Sequence, residues 1–170
     1  MPDNMNRRPA CDGTAAEGQT GRDDRLDDTS EPCPTLAAEA AVLGAMLLSS
    51  EARDGVPRTV GPEDFHRHAH RVLFEAICRI HAAGEPVDAI TVGCELHFRD
   101  QLDEVGGVVV LHELSDPIAT PAPSSWPAYA TIVGREGRRR RTIAKLRTAI
   151  DRLQAGEDPA VVARWIGGAA

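Results

Sequence analysis

The chain has 170 residues, enough for one domain with an appendage and for a sizeable buried core. Its formal net charge of −7 argues against a general nucleic-acid-binding protein, which is normally basic. Aromatic residues make up only 4 % of the sequence, and most apolar residues are alanine, leucine, valine or isoleucine. This composition favours helices packed on helices over a β-sandwich.

Residues 1–33 form a segment that is rich in Asp, Arg, Gly, Thr and Pro and contains almost no large apolar side chains. Such a segment cannot bury enough apolar surface to offset the conformational entropy that it would lose on ordering. The sequence therefore predicts a disordered polar tail over residues 1–33.

The four cysteines are spread along the chain without a Cys-x-x-Cys pair, at Cys11, Cys33, Cys78 and Cys94. This spacing argues against a disulfide framework and indicates a reducing compartment. No apolar run approaches the roughly 20 residues that a membrane span requires, and the first ten residues lack the hydrophobic region of a secretory signal. We therefore expect a cytoplasmic protein that does not contact a membrane.

Residues 34–118 carry the apolar periodicity of several short helices and are predicted to form a helical head domain. A first helix is expected from about Ala37 to Leu48. A short second helix should follow it and continue through Val56 and Val60. After the turn Gly61-Pro62-Glu63-Asp64, the side chain of Phe65 is expected to fill the core.

The next helix, from about His68 to Ala83, has the clearest amphipathic pattern of the chain and is expected to stop before Gly84. Asp88 or Thr91 is predicted to cap a further helix that reaches about Arg99. The last short helix of the head is marked by apolar residues at helical spacing, Val108, Leu111 and Leu114. Because no segment alternates with a period of two, the predicted fold class is all-α: a compact bundle of short helices followed by a long helical hairpin.

Residues 119–170 are predicted to form a linker and this helical hairpin. The long helix should run from about Trp126 to Gln154, roughly 45 Å at 1.5 Å per residue. Gly156 and Asp158-Pro159 indicate a turn into a short return helix that carries Trp165. Along the long helix, apolar side chains follow the three- and four-residue steps of a seam between paired helices: Tyr129, Ile132, Ile143, Leu146, Ile150 and Leu153. Because the hairpin cannot hide this seam alone, we expect it to contact a second copy or a partner.

The middle of the long helix is expected to be its weakest part. Glu136 and Arg139 interrupt the apolar seam at this point. Gly134 and Gly137 lower the helix propensity of the same segment further.

No catalytic site is apparent in the sequence. Lys145 is the only lysine and does not follow the glycine-rich turn from which a P-loop lysine reaches phosphates, so no Walker-type nucleotide site is expected. His66 and His70 could share a metal with a third ligand such as Glu75 or His81. Packing and capping explain these histidines more simply, because no His-Glu-x-x-His motif accompanies them. We expect no cofactor, no bound metal and no catalytic residue.

A strongly basic run lies on the long helix and comprises Arg138, Arg139, Arg140 and Arg141. Such a run is able to contact the phosphates of a nucleic acid in a salt-dependent manner. However, no aromatic residues are interleaved to stack on bases, and four consecutive arginines point to all sides of a helix. The simpler interpretation is a solvated face that pairs with acidic groups such as those of Glu136, Asp151 or the tail.

Several short motifs between about Leu36 and Leu153 resemble, in order and spacing, the N-terminal domain of DnaB-type replicative helicases. They are Ala38-Glu39 with Val42-Leu43-Gly44, Asp64-Phe65 with His70 and Phe74, Pro86-Val87-Asp88 with Thr91, Leu102-Asp103 with Gly106-Gly107, Leu111 and Leu114, and Tyr129-Ala130 with Ile132-Val133. The resemblance implies an all-helical head followed by a helical hairpin. In that family the hairpins pair subunits, and the domains form a collar on a hexameric ring. The collar receives the helicase-binding domain of primase and takes part in contacts with helicase loaders.

The resemblance does not extend to the whole family pattern. The ATPase domain is absent from these 170 residues, so helicase activity is not implied. Val110 stands where the family often has an aromatic residue, and the return arm after Asp158 is short.

The sequence thus predicts a non-catalytic interaction domain of the replicative-helicase type in DNA replication. It is expected to form a homo-oligomer, a dimer or larger, and to bind primase, a helicase loader or a full-length helicase. The residues predicted to carry these contacts are Tyr129, Ile132, Ile143, Leu146, Ile150 and Trp165. Two alternatives remain open: a nucleic-acid-binding regulator that uses Arg138 to Arg141, and a metal-dependent enzyme built on His66 and His70.

Overall fold

The structure is a computed structural model that describes residues 34–118 and 121–168. The predicted disordered tail, residues 1–33, lies outside the described residues. Within the described part the chain forms seven α-helices and no strand, which confirms the all-α fold class. The helices are α1 (Pro34–Leu48), α2 (Ser50–Gly55), α3 (His68–Ala82), α4 (Ala89–Phe98), α5 (Gly107–Ser115), α6 (Trp126–Gln154) and α7 (Pro159–Gly167).

Helix α1 is the centre of the bundle and packs against α2, α3, α5 and α6. It begins at Pro34, about three residues before the predicted start, and proline is well tolerated in a first helical turn. Four of its apolar side chains are at most 2 % exposed: Val42, Leu43, Ala45 and Met46. Such complete burial shows that this part of α1 is surrounded by neighbouring elements.

Helix α2 is shorter than the sequence predicts. Ser49 caps its start, where the side-chain oxygen accepts a hydrogen bond from the N–H of Ala52 at 3.4 Å. The helix ends at Gly55, and a single 3-10 turn over Val56–Arg58 replaces the predicted continuation. The indole ring of Trp126 lies against Gly55, where a Cβ atom would be 2.3 Å from two ring carbons. The glycine therefore lets the start of α6 pack on the end of α2.

The boundaries of α3 and α4 confirm the predicted stop and cap signals. Gly84 follows α3 with a φ of 74°, a left-handed conformation that favours glycine. Asp88 caps α4, because its Oδ1 accepts hydrogen bonds from the N–H groups of Ile90 at 2.9 Å and Thr91 at 2.8 Å. The hydroxyl of Thr91 accepts a hydrogen bond from the N–H of Asp88 in return, which completes a capping box.

A single apolar core joins the head helices to the first half of α6. Phe65 is fully buried, as predicted, and its ring centroid lies 5.1 Å from that of Phe74. Ala130 and Val133 of α6 belong to the same buried cluster as the residues of α1 and α3. The bounds of α6 agree with the predicted Trp126 to Gln154, but its first half packs on the head and does not project from it. The predicted division of the chain after residue 118 stays a prediction.

Among the described residues, no single helix combines the length and the apolar character needed to cross a membrane. One pair, Thr35–Leu48 with Ser50–Arg58, meets that test by length and composition alone when taken together, and it is bent by 117°.

Candidate interaction surfaces

Glu39 of α1 is a carboxylate buried inside the head, with 0 % of its surface exposed. One carboxylate oxygen accepts a hydrogen bond from the N–H of His66 at 2.7 Å. The other lies 2.7 Å from Nδ1 of His70 and 3.4 Å from the N–H of Arg67. The carboxylate thereby ties α1 to the two residues before α3 and, through the His70 ring, to the first turn of α3. The sequence analysis explained His70 by packing or capping but missed this partner, although one charged residue within Ala38-Glu39-Ala40-Ala41 was the available signal.

The environment of Glu39 keeps its carboxyl group ionised. Burial by itself raises the pKa of a carboxyl group. At Glu39 this effect is outweighed by the hydrogen bond with His70, the N–H groups of His66 and Arg67, and the attraction of the His70 ring. The net result is a pKa below the ordinary value of 4.5. The folded head therefore favours the charged form of this buried group.

The Glu39 cluster predicts a specific acid sensitivity. A carboxyl group whose pKa is lower in the folded than in the unfolded chain adds stability above the unfolded pKa, and this contribution is lost as the pH falls through the folded pKa. We compare urea unfolding of the natural chain with that of Glu39→Gln between about pH 7 and pH 3. The difference in their free energies of unfolding should shrink below about pH 4.5, because the amide takes up no proton. A difference that stays constant over this range would contradict the assignment.

An open groove of about 490 Å³ lies between α1 and α5, beside the Glu39–His70 pair. Ala37 and Ala40 of α1 form one side, and Val110 and Glu113 of α5 form the other. His70 lines the groove as well and remains 8 % exposed. Val110, where the resembled family often has an aromatic residue, is therefore a surface position of this groove and not a core position.

The remaining histidines do not converge on one point. His68 pairs with Glu104 at 3.2 Å, and His81 pairs with Asp54 at 2.8 Å. No group of three or more His, Cys, Asp or Glu side chains within residues 34–118 and 121–168 is arranged to hold a metal ion. The metal-enzyme alternative used His70 as a metal ligand. In the structure, Nδ1 of His70 instead lies 2.7 Å from a carboxylate oxygen of Glu39.

The cysteines of the described part are free thiols, Cys78 and Cys94. Burial raises the pKa of the Cys78 thiol to about 11, with a smaller lowering effect of Arg79 and a raising effect of Glu75. Because the thiolate is the reactive form, Cys78 is a packing residue at neutral pH.

Asp64 attaches the turn before α3 to the middle of α6. Asp64 is 5 % exposed, and its Oδ2 accepts a hydrogen bond from the N–H of Gly61 at 3.0 Å. Its Oδ1 accepts a hydrogen bond from the guanidinium of Arg141 at 2.6 Å, and the guanidinium of Arg140 donates to its backbone carbonyl. A Cβ atom added to Gly137 would lie 2.6 Å from Cα of Asp64. Gly137 therefore permits a close backbone approach that the propensity argument did not reveal.

Three of the four consecutive arginines have acceptors within the chain. Arg139 pairs with Glu136 at 3.2 Å, while Arg140 and Arg141 hold Asp64. Arg138 is exposed and makes no ion pair with any residue that the structure describes. Pairing with Glu136 is what the solvated-face interpretation predicts, and contact of Arg138 to Arg141 with nucleic acid stays a prediction.

The predicted seam of α6 is divided between two environments. Tyr129 and Ile132 are half-buried and pack against the core of the head, together with Trp126. The later members of the seam lie beyond the head and form an exposed apolar strip, which we call the hairpin strip. Its members, with exposed fractions of 38, 47, 53 and 43 %, are Ile143, Leu146, Ile150 and Leu153. The structure therefore does not bring the six predicted contact residues onto one surface.

Helix α7 returns along the second half of α6 and packs against it. Ala149 and Val162 are buried, at 3 % and 1 % exposure. The ring of Trp165 is 38 % exposed, and the guanidinium of Arg152 and the ammonium of Lys145 lie 4.9 and 5.7 Å from its centroid. Trp165 is thus partly used inside the hairpin, where it packs beside Lys145 and Arg152 of α6.

These features define an all-helical domain that ends in a helical hairpin. The family model described as "DnaB-like helicase N terminal domain" matches residues 31–135, more than half of the chain. The chain belongs to the family of DnaB-like helicase N-terminal domains.

Two curated relatives are replicative DNA helicases named DnaB. The protein of Geobacillus stearothermophilus is 42 % identical over 125 residues, which cover 74 % of this chain and 26 % of that protein. The protein of Mycobacterium leprae (strain TN) is 37 % identical over 136 residues, which cover 80 % of this chain and 22 % of that protein. The chain thus spans about a quarter of the length of these relatives.

Two solved structures share the fold. The crystal structure of the N-terminal domain of DnaB helicase from Mycobacterium tuberculosis is similar with a TM-score of 0.72 and 36 % identity, over 78 % of this chain and 93 % of that one. A DnaB-like replicative helicase, described with its interactions with primase, matches with a TM-score of 0.62 over 76 % of this chain and 31 % of that one. At 21 % identity, the second likeness shows the fold alone.

Proposed function

We propose that this chain is a non-catalytic interaction domain of DNA replication, which self-associates through its hairpin and binds primase or a helicase loader. The relatives that it matches are replicative helicases, and one structure of the same fold is described with its interactions with primase. The match to an N-terminal domain, and a sequence whose only lysine lies outside any glycine-rich loop, support binding as its mode of action.

The observation that carries the proposal is the hairpin strip. Four large apolar side chains at helical spacing are exposed on α6. Contiguous apolar surface of this kind on a water-exposed helix usually marks a contact with another chain. The strip lies on the half of α6 that the head does not cover, so a second chain can reach it without unfolding the head.

Leu146→Asp should weaken self-association at least tenfold, because each copy would have to bury a carboxylate at the centre of an apolar contact. Leu146 is 47 % exposed, so the monomer should keep its fold. Light scattering on a dilution series measures the assembly mass of the natural chain and of the variant. The same series with the helicase-binding domain of primase from the same organism tests the second half of the proposal.

Ala144→Asp is the matched control. Ala144 is exposed on the same helix two residues away, and side chains two positions apart on a helix do not face the same direction. This variant should keep the mass of the natural chain. An unchanged mass for Leu146→Asp, or a natural chain that is monomeric and ignores primase, would refute the proposed function.

A further inference from the structure

A second apolar surface, unrelated to the hairpin, lies between α4 and α5 on the head. It is a groove of about 310 Å³ whose sides include Ile90 and Phe98 of α4 and Val108 of α5. Ile90 is 72 % exposed and Phe98 84 %. The backbone at Gly93 forms part of the floor, and a Cβ there would lie 3.4 Å from Leu111. The groove is thus built from two helices and presents two large apolar side chains to the solvent.

The charge around this groove is strongly one-sided. Residues 84–118, which include both helices of the groove, contain eight carboxylates against one arginine. Of these carboxylates, Glu113 lies on the α1–α5 groove and Glu104 pairs with His68. Asp100 and Asp103 border the Leu102 end of the groove, and Glu85 borders the side of Ile90 and Phe98. Glu95 on the same side is neutralised by Arg79 and Arg99, at 3.1 and 2.5 Å. The groove therefore combines an apolar floor with an acidic rim.

We propose that the α4–α5 groove is a docking site for a basic amphipathic helix of a partner protein. The partner's apolar face would cover Ile90, Phe98 and Val108, and its lysines or arginines would lie against the acidic rim. This arrangement follows the general mode in which an amphipathic helix lies in an apolar groove with complementary charge around it. Pairing of the groove with the same surface of a second copy is disfavoured, because it would bring two acidic rims together.

The probe is a synthetic helical peptide of about 16 residues, roughly four turns, with leucines on one face and lysines on the other. A second peptide with glutamate in place of every lysine is the matched probe. Binding to the full chain is followed by fluorescence polarisation of the labelled peptide in the Leu146→Asp background, so that hairpin association does not contribute. The lysine peptide should bind and the glutamate peptide should not.

Phe98→Ser should weaken the lysine peptide at least tenfold, and Asp100→Asn with Asp103→Asn should weaken it several-fold and flatten its salt dependence. Two controls should leave binding unchanged. Ile118→Ser, the control for Phe98→Ser, removes another strongly exposed apolar side chain. Glu51→Gln with Glu63→Gln, the control for the double aspartate variant, removes two exposed carboxylates elsewhere on the head. Binding that survives Phe98→Ser would show unspecific attraction to an acidic protein and overturn the proposal. A rise in the mass of the chain alone that Phe98→Ser abolishes would assign the groove to a second copy and overturn it as well.

Discussion

Gly137→Ala is expected to destabilise the protein by about 2–3 kcal/mol, although alanine has the higher helix propensity. Propensity alone predicts a gain of about 1 kcal/mol for this change in a helix interior. The added Cβ would lie 2.3 Å from Oδ1 and 2.6 Å from Cα of Asp64. Because Cα of Asp64 is a backbone atom and the Asp64 side chain is held by Arg141, the contact cannot be relieved by one side-chain rotation. Thermal unfolding should show a melting temperature lower by about 5–10 °C.

Substitutions at two other glycines of the hairpin helices serve as controls for Gly137→Ala. Gly167→Ala in α7 meets nothing within 4 Å, so its melting temperature should be unchanged or slightly higher. The melting temperature of Gly134→Ala should lie between those of the other two variants, because its Cβ would be 3.3 Å from the ends of the Val60 and Arg138 side chains. If Gly137→Ala were as stable as Gly167→Ala, this result would contradict the close approach of α6 to the turn at Asp64.

Glu39→Ala is expected to cost about 3 kcal/mol of unfolding free energy. The variant leaves the N–H groups of His66 and Arg67 and the ring of His70 without their acceptor, and each lost partner in a buried place costs about 1–3 kcal/mol. It also leaves a small void next to α1, because Glu39 is among the largest fully buried side chains. Urea unfolding of the purified variants measures the change.

Glu51→Ala is the control for removing a glutamate from a helix of the head. Glu51 is exposed in the first turn of α2, where its interaction with the helix dipole is worth at most about 1 kcal/mol. We expect Glu51→Ala to change the unfolding free energy by no more than this amount. Equal costs for the two variants would mean that the buried hydrogen bonds of Glu39 contribute nothing beyond an exposed carboxylate.

Gly137 and Glu39 contact different residues of one short segment. In the turn from Gly61 to Arg67, Asp64 accepts hydrogen bonds from α6, and the N–H groups of His66 and Arg67 donate to Glu39 of α1. The segment thereby connects the central helix of the head to the helix that carries the hairpin strip. Weakening either of these contacts should loosen the attachment of α6 to the head. The direction in which the hairpin leaves the head should then be less well defined.

The amino-acid sequence by itself determined which helices form and where several of them begin and end. The bounds of α6, the cap at Asp88, the stop at Gly84 and the burial of Phe65 were all predictable, because propensity, capping and apolar periodicity act over a few neighbouring residues. The all-α fold class follows from the same local signals.

Only the tertiary structure decided which apolar and polar groups meet. It placed Tyr129 and Ile132 against the head and left Leu146 exposed, although all three share one sequence pattern. It also turned Gly137 from a weak point of a helix into the place where Asp64 approaches. The physical reason is that burial depends on contacts between residues far apart in the chain, such as Asp64 with Arg141. Periodicity within one helix shows that an apolar face exists, but it does not show what covers that face.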